Sequence, residues 1–306
     1  MRIVVTGAGG FVGSRLVKAL PDHDVVALDN RPCGIPDLPN TTSIVGDLSD
    51  DEVQAAAFAN GCDAVVHLAT IPGGAAEEDV ALARRVNVDA TMGLVEAATR
   101  ACKQPRFVFA SSIAVFGEDL AASVDDTTPL SPKLLYGGHK AMIEQWLATC
   151  NRRGDIDAIS LRVSGVVARP RGPSGMKSAF MSDVFHSISA GEALVMPVSA
   201  GATVWLTSVS CAVQNLVHGL TVNLSNASSG RAVNLPALRI RLGDLVDEIA
   251  RQTNQSTALI SYSPDAELQA AFGTLPTLST PAADRLGFSN DGDLSALVAR
   301  TLEEIT

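Results

Sequence analysis

One octet near the N-terminus, Thr6-Gly7-Ala8-Gly9-Gly10-Phe11-Val12-Gly13, restricts the fold more than any other stretch of the chain. It follows the apolar run Ile3-Val4-Val5 without a spacer and opens a segment, residues 11–20, with helical spacing. A strand, a glycine turn and a helix in direct succession make a phosphate cradle. Gly7 permits the tight turn, Gly10 lets backbone approach an anion, and Gly13 lets the helix pack closely on the sheet. The free amides of the first helical turn, from Phe11 and Val12 onward, attract the negative charge. A glycine string alone is a weak signal, but Asp29 ends the next apolar run about 20 residues downstream. A carboxylate there accepts hydrogen bonds from an adenosine ribose and repels a 2′-phosphate. NAD is therefore expected over NADP, with Arg31 the residue that would serve a phosphate instead.

The alternation continues through the first half. Short β-rich runs at residues 25–28, 42–45, 64–68, 106–110 and 156–163 are separated by helical segments at 51–60, 80–100 and 138–151. This rhythm predicts an α/β fold, a Rossmann-type doubly wound parallel sheet covered on both faces. The texture changes at Ser164: residues 169–175 read as a loop, and shorter helices follow near 180–189, 209–219, 242–252, 282–286 and 294–304. The expected organisation is a NAD-binding domain over residues 1–163 and a smaller, mainly substrate-binding portion over 164–306. Segments around 200–220 are expected to return to the first domain.

Composition excludes several partners. The 306 residues are 46% hydrophobic and only 18% charged, which suits a large core and not a disordered chain. A formal charge of −10 disfavours nucleic acid. The five cysteines are widely spaced and the five histidines stand apart, so no metal site is expected and the thiols read as reduced, in a cytoplasmic protein. Neither a signal peptide nor a membrane span of about 20 apolar residues is visible.

Three further elements fit the same ligand. Asp47 and Leu48 follow the third strand, where a carboxylate can approach the adenine edge and Leu48 can pack on the ring. Leu68 and Ala69 end the fourth strand and are placed to pass beneath the cofactor, with His67 beside them as a structural or catalytic group. Asn87 sits awkwardly inside a helix, either as a cofactor contact or as a bridge to a neighbouring strand-end loop.

The chemistry centres on one of only two tyrosines. Ser112 lies at the carboxyl end of the fifth strand. Tyr136 and Lys140 follow at i and i+4, so phenol and ammonium share a helical face. A free phenol, with a pKa near 10, is a poor base at neutral pH. A nearby ammonium and an oxidised nicotinamide favour the phenolate. Tyr136 can then take the proton of an alcohol whose oxygen Ser112 holds, while Lys140 also reaches the nicotinamide ribose. The plain alternative is an amphipathic tyrosine beside a solvated lysine. Loss of these groups would instead have suggested a redox-sensing binding protein.

With these residues in view, the chain resembles an extended short-chain dehydrogenase/reductase of the NAD-dependent epimerase/dehydratase family from residue 1 to about 300. The opening glycine motif, Asp29-Asn30, Gly46-Asp47-Leu48, His67-Leu68-Ala69, Ser112 with Val115-Phe116-Gly117, and Tyr136 through Lys140 carry the resemblance. Phe116 replaces the more usual tyrosine of that motif. The resemblance implies that Asn30 is another cofactor contact and that Ser112, Tyr136 and Lys140 are catalytic. It also implies a homodimer formed through helices near 80–100 and 137–151. Ser111 to Gly117, Ala202 to Gly219 with Trp205, Asn234 to Asp244 and Ala283 to Phe288 resemble dehydrogenases of four-carbon sugar acids. Val204 and Leu206 stand where those enzymes flank the tryptophan with polar histidine, which suggests a less polar substrate.

The expected reaction is NAD-dependent oxidation of a secondary hydroxyl of a small hydroxy or sugar acid to the keto acid. The alternative is a nucleotide-sugar epimerase with tightly bound NAD. For a substrate carboxylate the candidates are Arg169 and Arg171, with Lys177 nearby, although loop arginines are commonly solvated. For substrate hydroxyls they are Ser164 and Thr207.

Overall fold

The opening apolar run forms β1 (Arg2–Thr6), and its side chains serve two cores at once: Ile3 and Val5 face one helical layer, Val4 the other, and all three are fully buried. Burial on both faces explains why the run is continuously apolar rather than alternating. The molecule is described by a computed structural model over residues 1–34, 38–117, 120–172, 177–225, 227–228 and 230–305. The expected loop at 169–175 therefore lies partly outside the described residues.

After the glycine turn come α1 (Phe11–Lys18), β2 (Asp24–Asp29), β3 (Thr41–Val45), α2 (Asp51–Phe58) and β4 (Ala64–His67). Asp50 caps α2 by accepting the Glu52 amide at 2.9 Å. The helix expected over 80–100 is not uniform. Short helices α3 (Gly73–Glu78) and α4 (Val80–Arg84) run into a π turn at Arg85–Asp89 before α5 (Ala90–Ala101). Such turns insert an extra residue into the helical repeat, and here the turn carries Asn87. The chain continues through β5 (Arg106–Ser112), the short β6 (Ser123–Val124), α6 (Leu135–Arg153) and β7 (Asp157–Val163). Gly154, at φ +77°, ends α6 in the left-handed conformation that glycine adopts without strain. Because α6 starts at Leu135 rather than Gly138, Tyr136 lies in its first turn.

The second half supplies β8 (Gly165–Val167), α7 (Phe180–Ala190), β9 (Leu194–Met196), β10 (Thr203–Ser208), α8 (Val209–Thr221), β11 (Ala232–Asn234), β12 (Leu238–Arg241) and α9 (Leu242–Thr253). It ends with β13 (Ile260–Tyr262), α10 (Ala266–Phe272), β14 (Thr277–Leu278), α11 (Pro281–Arg285) and α12 (Leu294–Ile305). Seven parallel strands make the main sheet in the order β11-β7-β5-β4-β1-β2-β3. The order reverses between β1 and β4, which opens a crevice at their carboxyl ends. On one face, α1 and α8 bury Leu16, Val17, Val213 and Leu216; on the other, α2, α5 and α6 bury Phe58, Leu94, Ile143 and Leu147. A third core, built on Phe185, Leu206, Leu245, Ile249 and Leu297, lies between α7, α9, α12 and β10. The strands β8, β10 and β12 form a separate three-stranded sheet, while β13 pairs with β9 and β14 with β6. No helix among the described residues is long and apolar enough to cross a membrane.

Candidate active site

The carboxyl ends of β1, β2, β4, β5 and β7 open on one cleft of about 1080 Å³. Its floor begins with the glycine turn, where Gly7 has φ +69° and a Cβ would stand 2.7 Å from the Ala69 amide nitrogen. A Cβ at Gly13 would lie 2.0 Å from the Gly7 carbonyl oxygen, so α1 meets the turn at a distance only glycine allows. Asp29 ends β2 with one carboxylate oxygen accepting the Gly9 amide at 2.9 Å and the other the Arg31 amide at 3.1 Å. Gly10, Phe11, Val12, Asn30, Leu68 and Ala69 line the same groove. So does Asp47, whose carboxylate accepts the Ser49 hydroxyl and amide at 2.6 and 2.8 Å, which lowers its pKa. Leu48 beside it is buried. A cradle that any Cβ would fill, with a carboxylate at the end of β2, fits a dinucleotide.

The reacting end lies where β5 meets α6. Ser112 and Tyr136 both line the cleft, and Ser112 Oγ accepts the Ala114 amide at 3.1 Å. Lys140, one turn further along α6, is 4% exposed. Its Nζ donates to the Ala110 carbonyl at 2.7 Å and stands 5.6 Å from the centre of the Tyr136 ring. Burial raises the Tyr136 phenol above its ordinary pKa, opposed by the neighbouring Ser112 hydroxyl and the positive charge of Arg169. Burial also pulls Lys140 down to about 7, with the Glu144 carboxylate opposing. Arg169 thus bears on the phenol through its positive charge, in addition to the Lys140 that the i,i+4 spacing singles out.

Behind Lys140 lies a buried ionic knot. Glu144 accepts Arg162 through Nε at 3.0 Å and through a terminal nitrogen at 2.8 Å, and takes the Ser111 hydroxyl at 2.5 Å. Arg162 also reaches Asn234 Oδ1 at 3.3 Å, tying α6 and β7 to β11. His67 is structural. Its ring nitrogens meet Thr6 Oγ1 at 2.6 Å and Thr91 Oγ1 at 2.8 Å, and burial pushes its pKa down to about 3.

Three residues singled out from the sequence lie elsewhere. Asn87 does not line the cleft. Its Oδ1 accepts the Ile71 amide at 2.7 Å and the Thr70 hydroxyl at 3.0 Å, and its Nδ2 donates to the Ile71 carbonyl at 2.9 Å. This strap holds the loop of which Thr70, Ile71 and Pro72 face the cleft. Arg171 is turned away to Glu192 and Ser187, at 2.5 and 2.6 Å. Thr207 is buried against Asp291 at 3.2 Å. By contrast Ser164 and Arg169 line the cleft, and the buried Ser164 hydroxyl has no hydrogen-bond partner among the described residues. Lys177 also lines it, while paired with Glu267 at 2.5 Å. Sequence reasoning missed Glu77, which accepts the Leu135 amide at the start of α6 at 2.7 Å, and the cleft-lining Leu120, Phe272 and Leu275. No local pattern marked them.

A glycine turn at the switch point of a parallel sheet, with Ser112, Tyr136 and Lys140 at the end of β5, defines a dinucleotide-dependent oxidoreductase. The family model of the NAD-dependent epimerase/dehydratase family matches residues 3–206, and the chain belongs to that family, whose cofactor is NAD. It is an NAD-dependent dehydrogenase acting on a CH–OH group. It is 31% identical to the D-erythronate dehydrogenase of Cupriavidus necator over 99% of this chain and 98% of that one. The D-erythronate dehydrogenase of Haemophilus influenzae is 27% identical, with 99% of each chain covered. The crystal structure of a nucleoside-diphosphate-sugar epimerase from Agrobacterium tumefaciens superposes with a TM-score of 0.89 at 27% identity, covering 99% of this chain and 94% of that one.

Proposed function

We propose that the protein oxidises the secondary hydroxyl of a small hydroxy acid, a sugar acid of the D-erythronate kind, to the keto acid, reversibly. The convergence of Ser112, Tyr136 and Lys140 beside the glycine turn carries this reading, and the two D-erythronate dehydrogenases support the substrate class. Gly7, Gly10, Phe11, Val12 and Gly13 hold the diphosphate, Asp29 and Asn30 the adenosine ribose, Asp47 and Leu48 the adenine, and Leu68 and Ala69 the floor. The bound nicotinamide supplies a hydride acceptor. Ser112 holds the substrate oxygen, Tyr136 takes its proton, and Lys140, fixed by the Ala110 carbonyl, stabilises the phenolate and grips the nicotinamide ribose. Arg169 receives the carboxylate through its planar fork, and the orphan Ser164 hydroxyl receives a substrate hydroxyl. In this reading residues 1–163 bind NAD and residues 164–306 mainly shape the substrate end.

The test is incubation of the protein with NAD and D-erythronate or L-threonate, read by the absorbance of reduced nicotinamide. Tyr136→Phe is expected to lower turnover by about 10²–10⁴-fold while leaving NAD affinity in place. Equal turnover by both proteins overturns the assignment. The likeness to the Agrobacterium epimerase supports a second reading, nucleotide-sugar epimerisation, which would interconvert a UDP-sugar without added NAD and without net NADH. We also propose a cytoplasmic homodimer joined through α5 and α6, where Met142 is 56% exposed; sedimentation at micromolar concentration decides its mass.

A further inference from the structure

The wall of the cleft that starts at the reacting end is hydrocarbon. Ile113 follows Ser112 directly, and it belongs with Leu120, Trp205 and Leu275 to one apolar cluster, of which these four line the cleft. Phe272 continues the wall, braced edge-on by Phe180 at 6.4 Å between ring centres. The one polar side-chain atom among these five, Trp205 Nε1, already donates to the Pro276 carbonyl at 2.7 Å. Val204 and Leu206, the neighbours that suggested a less polar substrate, lie on the other face of β10 in the third core. The character of the wall is set by residues drawn from separate segments.

This composition sorts ligands. A sugar-acid chain carries a hydroxyl on each carbon, and a hydroxyl turned to this wall gives up water without gaining a partner. A methylene in the same place is worth about fourfold in affinity. A cation for a carboxylate is nevertheless present in Arg169, whose charge bears on Tyr136. We infer that the preferred substrate is a hydroxy acid whose chain beyond the oxidised carbon is alkyl or aryl, its carboxylate on Arg169 and its tail on the Ile113–Leu120–Trp205–Phe272–Leu275 wall. This rests on the hydroxy-acid oxidation proposed above and replaces its sugar-acid tail with an apolar one.

The test has two arms. In the first, kcat/KM with NAD is compared for D-erythronate, 2,3-dihydroxybutanoate, 2,3-dihydroxypentanoate and 2,3-dihydroxyhexanoate. The expected result is that loss of the terminal hydroxyl raises kcat/KM and that each added methylene raises it by up to about fourfold. D-erythronate as the best of the series overturns the inference. In the second arm, unreactive butanoate, hexanoate and octanoate are titrated calorimetrically against the protein with NADH, without turnover. Their Kd should fall by about fourfold per methylene with a negative heat-capacity change, and Leu275→Asn should flatten the gradient. A flat series in the parent protein overturns the inference. If the carboxylates show the gradient but no hydroxy acid reduces NAD, the oxidation reading falls and the apolar wall stands.

Discussion

The ammonium of Lys140 is anchored 2.7 Å from the carbonyl oxygen of Ala110, so the end of β5 that presents Ser112 also fixes the helix that presents Tyr136. Burial pulls Lys140 down to about 7 from an ordinary value of 10.5. Between those values the unfolded chain holds the extra proton, so this group makes stability rise with pH across that window. Lys140→Met should abolish that share of the rise, measured by urea unfolding from pH 7 to pH 10 in variant and parent.

In the proposed reading Arg169 bears on both substrate and base. Arg169→Met should raise KM for the acid by about tenfold to a hundredfold, the worth of a hydrogen bond to a charged group. Because Arg169 opposes the burial that raises the Tyr136 pKa, its loss should also move the rising limb of the rate profile to higher pH. A KM change without that shift would separate carboxylate binding from tuning of the phenol.

Gly13→Ala introduces a methyl 2.0 Å from the Gly7 carbonyl oxygen. Helix and turn must part, at about 1–3 kcal/mol of stability by analogy with overpacking. Calorimetric NAD affinity should fall at least about tenfold with the cradle distorted, and unchanged affinity would count against the groove as the diphosphate site.

Glu144→Gln leaves Arg162 buried without its counter-charge, a change of about 3–5 kcal/mol in unfolding free energy. Replacing both residues with methionine should recover much of that loss. The comparison by urea unfolding distinguishes an uncompensated charge from a general packing defect.

His67, held near 3 by burial, stays neutral in the fold, while the unfolded chain takes up a proton below about 6.5. Acid therefore removes roughly 4–5 kcal/mol through this one group between those values. His67→Asn should show a shallower loss of stability from pH 6.5 to pH 3.

The sheet, the glycine turn and the Ser112–Tyr136–Lys140 set were legible because each depends on local spacing: apolar runs of strand length, glycines at a turn, an i,i+4 pair. The π turn was not, since it answers a demand from outside its own segment, the polar groups of Thr70 and Ile71 that Asn87 satisfies. Arg171 and Thr207 were misplaced for the same reason. Their partners, Glu192 with Ser187 and Asp291, lie from 16 to 84 residues away. The apolar wall was hidden because no segment shows it alone.

The strand β11 and the helix α8 both come late in the chain, yet one completes the edge of the main sheet and the other buries Val213 and Leu216 against the core that holds Val108 and Leu161. A chimera spliced at residue 163 would thus inherit a nucleotide-binding half with a bare face and a missing border strand. Substrate preference is therefore expected to be exchanged through the loops and side chains around the cleft rather than by swapping the whole C-terminal half.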